Sequence, residues 1–117
     1  MRELYYDLEG KPLSLEQWGE IYERRDAARS RAPDGQSRPE DDLTRMGSDE
    51  IGEAWVSTVW VGMDMGYGSG PPIIFETMIF GGEYDQFCER YATKEAALAG
   101  HDRVVGALRA GNDPEMP

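Results

Sequence analysis

The chain has 117 residues, 39% of them hydrophobic and 30% charged, which suffices for one domain with a modest core and argues against wholesale disorder. Twenty-three acidic residues against twelve basic ones leave a formal net charge of -11, so the surface repels phosphate backbones and anionic headgroups. That disfavours direct nucleic-acid binding and membrane-surface binding, and suits solubility or a basic protein partner.

Cys88 is the one cysteine, so no intramolecular disulfide can form, which fits a reducing compartment. The opening MRELYYDLEG has no apolar run of signal-peptide length, and no stretch approaches a membrane span.

Leu4-Tyr5-Tyr6 reads as a brief strand or docked arm, turned by Asp7–Pro12. Ser14 and Gln17 match a capping box. The helix they open carries Leu15, Trp18, Ile21 and Tyr22 on one stripe and should end near Ala28 or Arg29. Ser30–Asp42, rich in Pro, Gly, Ser and charge, reads as a mobile surface loop. Arg24, Arg25, Arg29 and Arg31 gather at its mouth, where they suit the C-terminal helix dipole and offer an anion grip.

Leu43–Met46 is expected to open a strand, and Asp49–Gly52 its turn. Ala54–Val61 and Ile73–Phe80 are rich in β-branched and aromatic residues and flank the Gly-rich break Gly62–Pro72. Together they predict a long-looped hairpin spanning Trp55–Gly82. Trp55, Ser57, Val59 and Val61 share one face, and Val56, Thr58 and Trp60 the other. Both faces are apolar, so a layer should cover each, and a homodimer seam is one way to supply the second. A short strand is expected near Gln86–Tyr91. Thr93 then caps a helix whose apolar side is Ala97, Leu98, His101, Val104, Val105 and Leu108, with Gly111 at its C′ position. The expected fold is α+β: a small antiparallel sheet around the 55–80 hairpin, packed by an N-terminal and a C-terminal helix. It forms a single domain over residues 1–111 with a frayed tail at 112–117.

No motif names a reaction. Gly66-x-Gly68-x-Gly70 lacks the following helix that a phosphate loop requires, and reads as a hairpin connection. His101 is the one histidine, so neither a zinc set nor a nucleophile–base pair can be named, and no cofactor is expected. A lone histidine on a helix face is most often packed, and a lone cysteine likewise. Glu76 interrupts an apolar face. It either pairs with an arginine such as Arg90 or lines a pocket. The tryptophans and tyrosines are core residues first and stacking platforms second.

Gly70–Gly82 (GPPIIFETMIFGG), with Val56–Gly62 (VSTVWVG) before it and Arg90–Asp102 (RYATKEAALAGHD) after, resembles a group of small uncharacterised proteins of tailed phages infecting actinobacteria. The resemblance covers roughly residues 43–110. It implies a phage accessory protein in the host bacterial cytoplasm and carries no functional residue with it.

The function expected from the sequence is non-enzymatic binding and sequestration of a small anionic or nucleotide ligand, such as a signal of host defence. Trp60, Asp64, Tyr67, Glu76, Arg24 and Arg25 are the candidate contacts. The alternatives are an acidic inhibitor of a basic host protein or nucleic-acid mimic, and a minor virion or assembly component.

Overall fold

The computed structural model describes residues 4–66 and 70–115. Two helices and two antiparallel sheets make an α+β fold. The arm strands β1 (Tyr5–Tyr6) and β2 (Pro12–Leu13) pair with each other. Helix α1 follows over Leu15–Arg31. A 3-10 turn at Pro33–Gly35 leads to β3 (Arg45–Ile51), β4 (Ala54–Trp60), β5 (Phe75–Phe80) and β6 (Cys88–Tyr91), and helix α2 (Lys94–Arg109) ends the fold.

The four longer strands form one meander in the order β3-β4-β5-β6. The expected hairpin is its centre: Trp55 lies opposite Phe80, Thr58 opposite Thr77, and Trp60 opposite Phe75. β4 stops where Gly62 turns left-handed at φ +76°. A Cβ there would strike the Trp60 indole, so glycine is required both for the turn and for the close approach. Asp49–Ile51 belongs to β3 and is not the turn expected there. The reversal is made by Gly52 and Glu53, with Ile51 paired to Ala54.

Helix α2 covers the face of Val56, Thr58, Phe75, Thr77 and Ile79. Val56, Ile79, Val104 and Val105 form one half of the core. Tyr6, Trp60, Ile74, Phe75, Tyr91 and Ala97 form the other. Each fully buried side chain of this size contributes roughly 1.5–3 kcal/mol. Leu98, expected on the inner side of α2, is instead 41% exposed.

Helix α1 opens on the expected capping box, in which Gln17 and Ser14 exchange backbone-to-side-chain bonds of 2.9 and 3.1 Å. It packs across the end of the sheet. Trp18 Nε1 and Tyr22 Oη both donate to the carbonyl of Val61, at 3.1 and 2.7 Å. The arm is docked beside it, where Tyr6 N donates to Gly62 O and Trp60 Nε1 to Tyr6 O.

Two segments expected to be loose are tied down. Within the 30–42 segment, α1 continues to Arg31 and the 3-10 turn follows. Ser37 and Asp42 are buried, and Asp42 accepts hydrogen bonds from Ser37, Arg29, and both the amide and hydroxyl of Thr44. Such a fully satisfied carboxylate fixes the chain around it. At the other terminus Pro114 is buried and its carbonyl accepts from Arg103 at 2.6 Å, so the chain is held at least to that residue. No helix among the described residues is long and apolar enough to cross a membrane.

Candidate functional site

The sheet face away from α2 carries a groove of about 240 Å³. Its floor is the outward face of the hairpin: Trp55, Ser57 and Val59 on β4, and Glu76, Met78 and Phe80 on β5. Trp55 and Phe80 lie side by side with centroids 5.3 Å apart and 31° between their planes, an aromatic shelf. Trp55 Nε1 donates to Ser48 Oγ at 2.9 Å, which fixes the ring.

One wall is Arg45, the first residue of β3, backed by Arg29 of α1 and Gly35 of the 3-10 turn. Arg45 is only 4% exposed. Its guanidinium sits 5.0 Å over the Trp55 ring. Its donors meet neutral acceptors: Nε to Ser37 Oγ at 3.3 Å, one terminal nitrogen to Ser57 Oγ, the other to Gly35 O at 3.2 Å. Burial, with Arg29 close by, pulls the guanidinium down to about 10, so it is still a cation at neutral pH.

The neighbouring charges are already paired. Arg29 Nε lies 3.0 Å from Asp42 Oδ2, and Arg90 Nε lies 3.0 Å from Glu76 Oε2. The Asp42 carboxylate is near enough to favour the Arg45 cation, but among the described residues no carboxylate hydrogen-bonds its guanidinium, which stands above an aromatic floor. A buried cation that no anion hydrogen-bonds directly is costly, and an anionic group of a ligand would offset that cost.

Cys88, expected to be packed, is exposed on β6, and its thiol reaches Glu76 Oε2 at 3.4 Å. Burial of the sulfur and the Glu76 carboxylate push that thiol up, away from the reactive thiolate.

The candidate residues from the sequence do not converge. Glu76 lines the groove and also pairs with Arg90 as expected. Trp60 is 1% exposed in the core and reaches no surface. Asp64 accepts from the amides of Gly66 and Ile73, closing the loop that follows β4. Tyr67 lies outside the described residues. Arg24 and Arg25 line a separate cleft of about 210 Å³ beside Leu43. Arg25 is committed to Asp26 at 2.6 Å and lies over the Tyr22 ring.

Arg45 and the Trp55–Phe80 shelf were not singled out as a site. The alternation placing Trp55, Ser57 and Val59 together was readable. The register that sets Arg45 opposite Val59 was not.

On the other face lies a buried polar line. Asp49 Oδ2 is 2.7 Å from His101 Nε2, and His101 Nδ1 is 2.7 Å from Thr58 Oγ1. Thr58 Oγ1 meets Thr77 Oγ1 at 2.5 Å, which accepts from Tyr91 Oη at 2.9 Å. The order carboxylate, imidazole, hydroxyl is that of a catalytic triad. Here Thr58 and Thr77 are fully buried, and no substrate can approach the hydroxyl. No group of three or more His, Cys, Asp or Glu among the described residues could hold a metal ion. Comparison with known proteins finds no matching family model, curated protein or solved structure.

Proposed function

We propose that this is a non-enzymatic binding protein, an accessory protein of a tailed phage acting in the cytoplasm of its actinobacterial host, which holds a small planar anion on the open face of the sheet. The observation that carries the reading is Arg45, a buried cation met only by neutral acceptors, set over the Trp55 ring in an open groove. An aromatic ring stacked on Trp55 and Phe80, with one anionic group turned toward Arg45, would complete both the stacking and the charge. A nucleotide combines these two features. The volume of about 240 Å³ falls just below that of usual ligand pockets. It suits one ring system, with the rest of a larger ligand lying over the rim. The sealed hydroxyl of Thr58 supports binding over catalysis, because the triad-like arrangement among the described residues faces no solvent.

The test is thermal shift and calorimetry with nucleoside monophosphates, cyclic nucleotides and aromatic carboxylates, using the wild type, Arg45→Gln and Trp55→Ala. At least one aromatic anion should raise the melting temperature of the wild type, and both variants should lose at least tenfold in affinity. No shift with any probe, or full binding by Arg45→Gln, overturns the reading.

A further inference from the structure

The two ends of β3 carry surfaces of opposite character. Just before its first residue stands Leu43, 68% exposed, the most exposed large hydrophobic side chain described. It shares its cleft with Arg24, Arg25 and Arg31. Arg25 is spent on Asp26, whereas neither Arg24 nor Arg31 has an ion-pair or hydrogen-bond partner among the described residues. Of the two carboxylates there, Asp42 is closed by Arg29, and Asp41 is exposed. The result is an apolar knob flanked by free cations.

At the far end, where β3 finishes at Ile51, lies a cleft of about 250 Å³. Ile51, Ala54, Ile79, Tyr84 and Leu108 floor it, and Glu53 and Glu83 stand on its rim. No cation lines it. Arg109, next along α2, is turned to Asp49 at 3.8 Å.

We infer that the knob of one copy seats in the cleft of the next, so that this chain associates head to tail with itself. Leu43 supplies an apolar side chain to cover the cleft floor, and Arg24 and Arg31 supply the positive charge that faces Glu53 and Glu83. A seven-residue strand separates the two surfaces by about 20 Å, at roughly 3.3 Å per residue, so one molecule cannot satisfy both itself. Two different patches in contact build a ring or an open chain when each copy uses its two surfaces on two different neighbours, and a two-fold dimer when both contacts form between the same pair. The net charge of -11 opposes the encounter of whole molecules. Physiological salt, with a screening length of about 8 Å, damps that repulsion while leaving contact pairs in place. Association should therefore strengthen from very low salt to about 0.15 M and weaken again near 1 M.

Sedimentation velocity over a concentration series at about 0.15 M salt tests the inference. The average mass of the wild type should rise above 13.1 kDa with concentration. Arg24→Glu/Arg31→Glu has a reversed knob and Glu53→Arg/Glu83→Arg a reversed cleft. All four positions are exposed, and circular dichroism confirms that each variant keeps its helices. Each variant alone should stay at the monomer mass, and an equimolar mixture should regain association, because each reversed surface then meets its opposite. A wild type that stays monomeric at every concentration, a variant that associates alone as the wild type does, or a mixture that stays monomeric overturns the inference. None of these readings involves the Arg45 groove, so the two proposals fail separately.

Discussion

The imidazole Nδ1 of His101 lies 2.7 Å from the hydroxyl of Thr58, forty-three residues earlier in the chain, and this bond joins α2 to the centre of the sheet. Both partners are buried, His101 at 4% exposure and Thr58 at none. Removing the Thr58 hydroxyl leaves a buried ring nitrogen without a partner and the Thr77 hydroxyl with Tyr91 alone. Thr58→Val, close to isosteric, should cost about 1–3 kcal/mol. Urea unfolding should show a lowered midpoint with an unchanged slope. A variant as stable as the wild type would remove this bond from the account of how α2 is held.

The same line of bonds dictates the histidine tautomer. An ionised Asp49 carboxylate only accepts, so Nε2 carries a proton and, in the neutral ring, Nδ1 accepts from Thr58. Thr58 then accepts from Thr77, and Thr77 from Tyr91. Tyr91 has one proton and two neighbours, so its contact with Glu89 Oε1 at 2.8 Å goes without. Glu89 is served instead by Arg103. A second proton on the ring would reverse every donor along the line and fill that contact. Nitrogen resonances of the neutral imidazole should report the Nε2–H form. Tyr91→Phe should cost less than Thr58→Val, because it deletes one satisfied bond, to Thr77, and the contact short of a proton, whereas Thr58→Val deletes two satisfied bonds. An Nδ1–H ring or the opposite ranking of the two variants contradicts the assignment.

Glycines at two close approaches should be irreplaceable where a third is free. A Cβ on Gly47 would fall 2.5 Å from His101 Nε2, and one on Gly100 would strike the Tyr91 hydroxyl. Both rings are held by the bonds above and cannot yield cheaply. Gly47→Ala and Gly100→Ala should each lower stability by about 1–3 kcal/mol. Gly106, also on α2, has nothing within 4 Å of its Cβ position. Gly106→Ala should stabilise by about 0.5–1 kcal/mol through helix propensity. Thermal melts of the three variants check the contrast.

Asp42 should govern part of the acid limb. Burial pushes its carboxyl up, but hydrogen bonds from Thr44, Ser37 and Arg29 outweigh burial and hold it below the usual carboxylate range. A depressed folded value means that the contribution is complete above the unfolded value of 3.8 and is lost as pH falls below it. Asp42→Asn should cost about 2–3 kcal/mol at neutral pH, the scale of charged hydrogen bonds. That difference should shrink as pH drops below about 4. A gap constant from pH 7 to pH 2 would show that the charge plays no part.

Local signals in the sequence determined the elements. Strand 54–60 and its partner 75–80 were legible from β-branched and aromatic density, and both helix starts from Ser14 and Thr93, whose side chains cap as expected. The strand alternation also separated the Trp55 face from the Thr58 face correctly. What tertiary structure alone decided was which distant groups meet. Asp49, Thr58 and His101 come from three elements, and their meeting depends on strand register and on how α2 lies across the sheet. Arg45 became a wall of the groove because β3 pairs beside β4 and the 37–44 segment folds onto it, where Asp42 is satisfied. Composition marked that segment as a loose loop, because polarity is a local property. Burial of a polar side chain depends on partners that only the folded chain supplies.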